Sequence, residues 1–483
     1  MAGAFTESCV AAEQAARNVQ THRALYKART RSICCATQAH RFNLTDPVSN
    51  QKSAPVPSGR SARLFHMGGI VAGIASNVVA GGVRQMVQGK RPDLPNLLLT
   101  PANAMRLTAG LSHMRGAALK IGQMLSMDSG ILLSPELTSI LASLRDDARH
   151  MPPKQLQSVL NAEWGTGWRA KFRQFDVRPF AAASIGQVHR AETLDGRVLA
   201  VKVQYPGIRA SIDSDVDNIA TLLRLPGLVP TGMDIAPLLR AAKQQLHEEA
   251  DYLAEASHLR RFGTVLAGSD AFVLPELYPD LSTGHVISMT YMQSQPIDAL
   301  MNASQELRDR TATRLIDLVL RELFTFHAMQ TDPNLANYRV DPASGRLVLL
   351  DFGAVRILDS TLSSAFRTLL NAALDGDPDQ IRHAMHDIGY FASDTASHHQ
   401  ALIQQMFELA MAPLRQETAF DFGASDLLDR LRATGLAIGN DRDLTHVPPA
   451  ETLFLHRKIG GMYLLATKLR ARVCLRNLVE QYR

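Results

Sequence analysis

The chain has 483 residues, 46% hydrophobic and 20% charged, which calls for more than one packed unit and excludes a mostly disordered or multi-span membrane chain. Its formal charge of +5 is located in residues 1–60, where eight basic side chains meet three acidic ones (Glu7, Glu13 and Asp46). The remainder is formally neutral and offers no phosphate-tracking face, which argues against nucleic acid as a partner.

Residues 1–60 read as a basic, disordered leader ending in the linker residues Pro55, Pro57, Ser58 and Gly59. The leader reads as a solvated tail or as an upstream extension of a bacterial chain, with a mitochondrial presequence as the alternative. Residues 61–150 form a helical N-terminal extension, with apolar residues at three- and four-residue spacing from Thr100 to Arg149. Within it, residues 67–83 carry no charge, but their apolar character comes largely from Gly and Ala, and Ser76 and Asn77 sit at the centre. This stretch is predicted to lie against a membrane or a neighbouring helix rather than to cross a bilayer, for which about 20 apolar residues are needed. Cys9, Cys34, Cys35 and Cys474 are scattered, without a CxxC pair, which suits a reducing compartment and gives no zinc site.

Met151-Pro152-Pro153 breaks the helical pattern and opens a strand-containing unit, residues 151–292. Its predicted strands are Arg197–Tyr205, Phe272–Leu277 and His285–Met292, and its predicted helices are Ile212–Leu225 and Asp234–Arg261. Residues 293–483 are mostly helical, interrupted by a hairpin of Tyr338–Val340 and Arg346–Leu350 about a Pro-Ala-Ser-Gly turn. A strand-rich unit followed by a helix-rich one outlines two lobes about a cleft.

Four patterns in this frame carry chemistry. Leu349-Leu350-Asp351-Phe352-Gly353 delivers an aspartate at the end of an apolar strand, the DFG pattern whose aspartate chelates magnesium in kinases. Asp332 and Asn337 keep the D-x-x-x-x-N spacing of a kinase catalytic loop, with Gln330-Thr331 where His-Arg usually stands. The hairpin between Asn337 and Asp351 would bring both groups to one cleft edge. Lys202, in Leu199-Ala200-Val201-Lys202-Val203, is a strand lysine of VAIK type aimed at phosphate, where an ordinary strand lysine would face solvent.

That lysine needs a helix carboxylate, and Glu248, Glu249, Asp251 and Glu255 supply several; spacing alone places Glu248, Asp251 and Glu255 on one face of one helix. Finally, the place of a Gly-rich phosphate loop is taken by Ala181-Ala182-Ala183-Ser184-Ile185-Gly186-Gln187-Val188-His189, whose alanines would hold a nucleotide differently from glycines. Met289 and Met292 lie near the presumed hinge. His327, among Phe324, Phe326 and Met329, reads as a packed core histidine.

These motifs, together with Lys120-Ile121-Gly122-Gln123, resemble the UbiB/ADCK (AarF-type) atypical kinase family, nearest to its coenzyme Q branch. The resemblance runs over roughly residues 55–470 and is carried by AAASIGQVH at 181–189, AVKVQYPG at 200–207, MQTDPNLANY at 329–338 and LLDFGA at 349–354. It implies an α+β, protein-kinase-like two-lobed fold with a family-specific helical extension over the cleft. It further implies that Lys120 and Gln123 sit near the nucleotide and that Glu249 and Asp251 engage the extension. Glu255 would pair with Lys202, and Asp332, Asn337 and Asp351 would form the catalytic and metal group.

The implied cofactors are ATP or ADP with magnesium, bound at Ala181–Ser184, Lys202, Met289 and Met292. The implied activity is an ATPase or phosphotransferase supporting ubiquinone or related lipid metabolism, peripheral to a bacterial inner membrane or in the mitochondrial matrix. Membrane lipid, quinone-pathway intermediates and a biosynthetic protein complex are the implied partners, and protein kinase activity is not expected. Two readings compete with this one. A nucleotide-sensing, non-catalytic scaffold would fit the alanine loop and the occluding extension, and an aminoglycoside-type kinase is disfavoured by the KxGQ segment.

Overall fold

The protein is described by a computed structural model, covering residues 60–88, 100, 103, 114, 116–118, 120–122, 150–223, 235–392, 395–439 and 448–483. The chain divides into two units, Met1–Gln51 and Lys52–Arg483, and every described residue belongs to the second. The leader, Gln123 and most of residues 89–149 lie outside the described residues.

Helix α1, Arg60–Val87, contains the uncharged stretch 67–83. Its Val78 packs on the core and Asn77 Nδ2 donates to Asn103 Oδ1 at 2.9 Å, whereas Val79, Val83, Met86 and Val87 are exposed. No helix of the described residues is long and apolar enough to cross a membrane.

After α2 (Pro153–Trp164), a five-stranded antiparallel sheet forms the first lobe from β1 (Phe172–Phe175), β2 (Ala181–Ala182), β3 (Gly186–Thr193), β4 (Val198–Gln204) and β6 (Val286–Thr290). The order is β1-β3-β4-β6, with β2 also on β3. Alternation along β4 sends Leu199, Val201 and Val203 fully into the core and puts Ala200 and Lys202 on the other face. Val188 and Ile287 flank Lys202 across the two ladders.

Helices α3 (Ile208–Leu223), α4 (Ala236–Glu249) and α5 (Tyr252–Val265) complete this half. The single helix expected over Asp234–Arg261 is two. At Asp251 the backbone leaves helical geometry (φ −99°, ψ 82°), and its carboxylate accepts the Ala254 N–H, capping α5. The expected common face for Glu248, Asp251 and Glu255 is therefore absent, because the break reorients everything after Ala250.

The predicted strand Phe272–Leu277 is shortened to β5 (Phe272–Val273), and Leu277 makes an isolated bridge to Met289. Strand β5 runs parallel to β10 (Leu347–Leu349), which forms the expected hairpin with β9 (Tyr338–Val340); β7 (Gln295–Pro296) closes that sheet. The helical half is built on α6 (Gln305–Phe324), N-capped by Ser304, followed by β8 (Ala328–Gln330) and its antiparallel partner β11 (Val355–Ile357). Around these pack α7 (Ser360–Asp375), α8 (Pro378–Ile388), α9 (Ser397–Met411), the pair β12 (Phe420–Asp421) and β13 (Arg472–Val473), α10 (Leu427–Gly439), α11 (Ala450–Lys468) and α12 (Leu475–Val479). His327 is only half-buried, not a packed core residue: it holds a left-handed backbone (φ 47°) at the turn into β8, where its carbonyl accepts the Leu358 N–H.

Candidate active site

Two pieces of backbone converge at one edge of the helical half for local reasons. The loop carrying Asp332 and Asn337 leaves β8 and enters β9, while Asp351 follows β10. The β8–β11 ladder pairs Gln330 with Val355, and Thr331 donates through both its N–H (2.7 Å) and its hydroxyl (3.0 Å) to the Ala354 carbonyl. On the other side the β9–β10 hairpin brings the Leu350 N–H to the Asn337 carbonyl at 3.3 Å. Asp332, Asn337 and Asp351 are thereby tied to one edge. Phe352 is buried under α5, its ring 4.9 Å from that of Phe262, while its carbonyl lies 3.2 Å from His258 Nδ1.

Lys202 reaches Glu255 Oε1 and Oε2, both at 2.9 Å, lies 3.7 Å from Asp351 Oδ2, and sits 5.1 Å from the centre of the Tyr252 ring. Burial disfavours its ammonium, but Glu255 and Asp351 outweigh that and hold its pKa well above the ordinary lysine value. Burial likewise raises the Glu255 carboxyl, to about 7, against the pull of Lys202. Asp351 is the more open member: its Oδ1 accepts the Gly353 N–H at 2.9 Å and its side chain is 34% exposed.

A second lysine completes the cluster. Lys120, 1% exposed, is ion-paired with Glu249 and lies 3.2 Å from Asp332 Oδ2. Against the cost of burial, Glu249 and Asp332 raise its pKa. Burial would raise Asp332 as well, but Lys120 and Arg457 hold it below the usual carboxylate range. Ser184 Oγ donates to the other oxygen of Glu249, joining the alanine-rich hairpin to the same group. The extension fits close against that hairpin because residue 116 is glycine: a Cβ there would stand 2.7 Å from the Ser184 carbonyl oxygen.

The structure thus divides the acidic residues that spacing left undivided: Glu255 takes Lys202, Glu249 takes Lys120, and Asp251 caps a helix. Ala181 and Ala182 are exposed on β2 opposite Val188 and Gln187, and the Ala183 N–H closes the hairpin onto the Gly186 carbonyl at 2.9 Å. Met289 is buried on β6 opposite Ala200, and Met292 is half-buried just beyond. Gln123 falls outside the described residues.

Sequence reasoning missed the floor of the site. Lys458, in α11, lies 3.2 Å from Glu322 Oε2 with both side chains 1% exposed, and donates to Gln330 Oε1 (3.2 Å) and Tyr338 Oη (2.9 Å). Its neighbour Arg457 donates to Gln245 Oε1 at 3.0 Å. The signal was there: Lys458 shares a helical face with the buried Leu455, Met462 and Leu465, where a charge needs a partner.

A strand lysine paired with a helix carboxylate, a D-x-x-x-x-N loop and a strand-end aspartate, set between a five-stranded sheet and a helical half, define a protein-kinase-like protein. Residues 143–385 match the ABC1 atypical kinase-like domain, and the chain belongs to that family. It is 37% identical over 433 residues to "Atypical kinase COQ8, mitochondrial" of Saccharomyces cerevisiae, covering 89% of this chain and 86% of that one. It is 36% identical to rat "Atypical kinase COQ8B, mitochondrial", over 92% and 83% of the two chains. Among solved structures, that of Rv3197 with erythromycin from Mycobacterium tuberculosis superposes with a TM-score of 0.55 at 25% identity, covering 79% of this chain and 95% of that one. The relatives bearing mitochondrial names agree with the mitochondrial alternative and lend no support to the bacterial placement.

Proposed function

We propose that the chain binds a magnesium nucleotide between its lobes and acts as an ATPase or small-molecule phosphotransferase in support of coenzyme Q biosynthesis. The observation that carries this reading is the geometry at Lys202: bidentate to Glu255 and 3.7 Å from Asp351, with Asp332 and Asn337 tied to the same edge. The pathway is the one the family resemblance implies, and the similarity to relatives named COQ8 supports it.

The donor set suits magnesium, which prefers hard oxygen ligands. Asp351, a third exposed with Oδ2 3.7 Å from Lys202 Nζ, and Asn337, whose amide nitrogen donates to the Asp332 carbonyl at 3.3 Å, would offer carboxylate and amide oxygens to a cation. When bound, magnesium would neutralise phosphate charge. The Lys202 ammonium, kept charged and immobile by Glu255, is assigned to phosphate oxygens. Asp332, ionised under Lys120 and Arg457, would orient the attacking hydroxyl or water once Lys120 lets go of it. Ala181–Ser184, Met289 and Met292 would border the nucleotide. Lipid, quinone intermediates and a biosynthetic complex are the partners this reading brings, in a mitochondrial setting.

The test is magnesium-dependent nucleotide binding and hydrolysis, with and without anionic-lipid vesicles, beside Asp351→Asn. Loss of a charge-stabilising ligand should lower turnover on the order of 100-fold or more. Full turnover in the variant would refute the assignment. One observation favours a second reading: Lys120 occupies the aspartate that would have to act. A nucleotide-sensing scaffold would bind nucleotide and never turn it over, with or without lipid.

A further inference from the structure

Kinases that carry His-Arg before the catalytic aspartate have two side chains there to brace the loop; here Gln330 and Thr331 occupy those places. Thr331 is committed to the Ala354 carbonyl. Gln330 is the last residue of β8 and Tyr338 the first of β9, so the two bracket the whole of the loop from Thr331 to Asn337. Both end on a single ammonium, that of Lys458, at 3.2 Å and 2.9 Å, and Tyr338 Oη is also 3.4 Å from Gln330 Oε1.

That ammonium is held from below by Glu322 on α6, whose Oε1 accepts the Gln330 N–H at 3.3 Å. Burial disfavours the Lys458 charge, but Glu322 and the Tyr338 hydroxyl outweigh it and raise its pKa, while burial raises those of Glu322 and Tyr338. Such a fully enclosed pair is a poor device for stability, since apolar residues of similar size often do as well; its directional bonds are what an apolar pair cannot supply.

We propose that Lys458 is a positioning residue of the catalytic loop: with Glu322 as its counter-charge it clamps Gln330 and Tyr338 together, and so sets the spacing of Asp332 and Asn337. Its ammonium is spent on Gln330, Tyr338 and Glu322, so it acts through the loop ends. The proposal rests on the reading of Asp332 and Asn337 as the reacting group, and its test is built so that the two fail separately.

Two variants isolate the clamp. Tyr338→Phe removes one of its arms and leaves the ion pair, and Glu322→Leu with Lys458→Met replaces the pair by apolar groups so that no buried charge is stranded. Each is followed by thermal unfolding, magnesium-nucleotide affinity, turnover, and hydrogen exchange of the 331–337 segment. The expected result is an unfolding midpoint close to that of the native protein and affinity within about threefold, because Lys202 and Asp351 are untouched. Turnover should fall at least tenfold in the double variant and less in Tyr338→Phe, and amide exchange should quicken in 331–337 but not in β3 or β4.

Native exchange in 331–337 with a native midpoint in both variants would overturn the proposal, whatever the turnover. Should the double variant fail to fold, Tyr338→Phe decides alone on the same exchange readout. If the native protein binds nucleotide without turning it over, the catalytic reading fails, and exchange of 331–337 still decides the clamp.

Discussion

Two adjacent glycines in α11 give opposite expectations from one substitution. A Cβ on Gly460 would meet nothing within 4 Å, whereas a Cβ on Gly461 would lie 2.2 Å from Pro333 Cβ and 2.9 Å from Pro333 Cγ. Alanine in a helix interior is ordinarily favoured over glycine by about 0.5–1 kcal/mol, so Gly460→Ala should stabilise by roughly that amount. At Gly461 the overlap must be relieved. Ordinary contact begins at 3.4 Å, so helix and loop must separate by about 1.2 Å, and Pro333 is a rigid ring that cannot swing aside. Overpacking of this kind costs about 1–3 kcal/mol, which outweighs the helix gain.

Since Pro333 follows Asp332 directly, the same displacement enters the site. A misplacement on the order of 1 Å is enough to cost about 100-fold in rate. Urea unfolding of both variants gives the stability arm, and magnesium-dependent turnover with nucleotide affinity measured alongside gives the catalytic one. Gly461→Ala should lose stability and turnover while keeping nucleotide affinity, and Gly460→Ala should lose neither. A Gly461→Ala protein as stable and as active as Gly460→Ala would refute the close packing of α11 on the loop.

Other perturbations reach other parts of the site. Glu255→Gln breaks a buried pair and should cost about 3 kcal/mol of stability, with weakened nucleotide binding because Lys202 is then drawn towards Asp351; calorimetric unfolding and titration check both. Lys120→Met removes a charge that holds Asp332 low, so the acid limb of a pH–turnover profile should move to higher pH, and Lys120→Arg should restore it. His189 is fully buried, and burial lowers its pKa to about 4. The unfolded chain, with a histidine pKa near 6.5, therefore binds the extra proton between those values, and stability falls as pH falls through that window. The loss is about 1.4 kcal/mol at pH 5.5. His189→Asn, which can keep a donor towards the Asp176 carbonyl, should be less stable at pH 7 but lose less between pH 7 and 5, as read by urea midpoints at each pH.

Much of the site was legible without coordinates because it is local. Alternation along Leu199–Val203 puts Lys202 on the face opposite three core residues, and a turn-bounded hairpin joins Asn337 to Asp351; both need only the pleat of a strand and a few residues of chain. The partition of the acids was not legible. A helical period drawn through Glu248, Asp251 and Glu255 assumed one helix, and the break at Asp251, whose side chain prefers capping α5 to continuing α4, changes which carboxylate faces which lysine.

Nor could spacing find the buried Glu322–Lys458 pair beneath the loop that carries Asp332. Glu322 and Lys458 stand 136 positions apart, and until α11 packs on α6 nothing relates them. The strand lysine, the loop aspartate and asparagine and the strand-end aspartate could be read from the chain alone, because each is a property of a short segment. Which charges meet had to wait for the packed molecule, because a buried ion pair is settled by how two distant helices dock and by the cost of leaving either charge alone in the core.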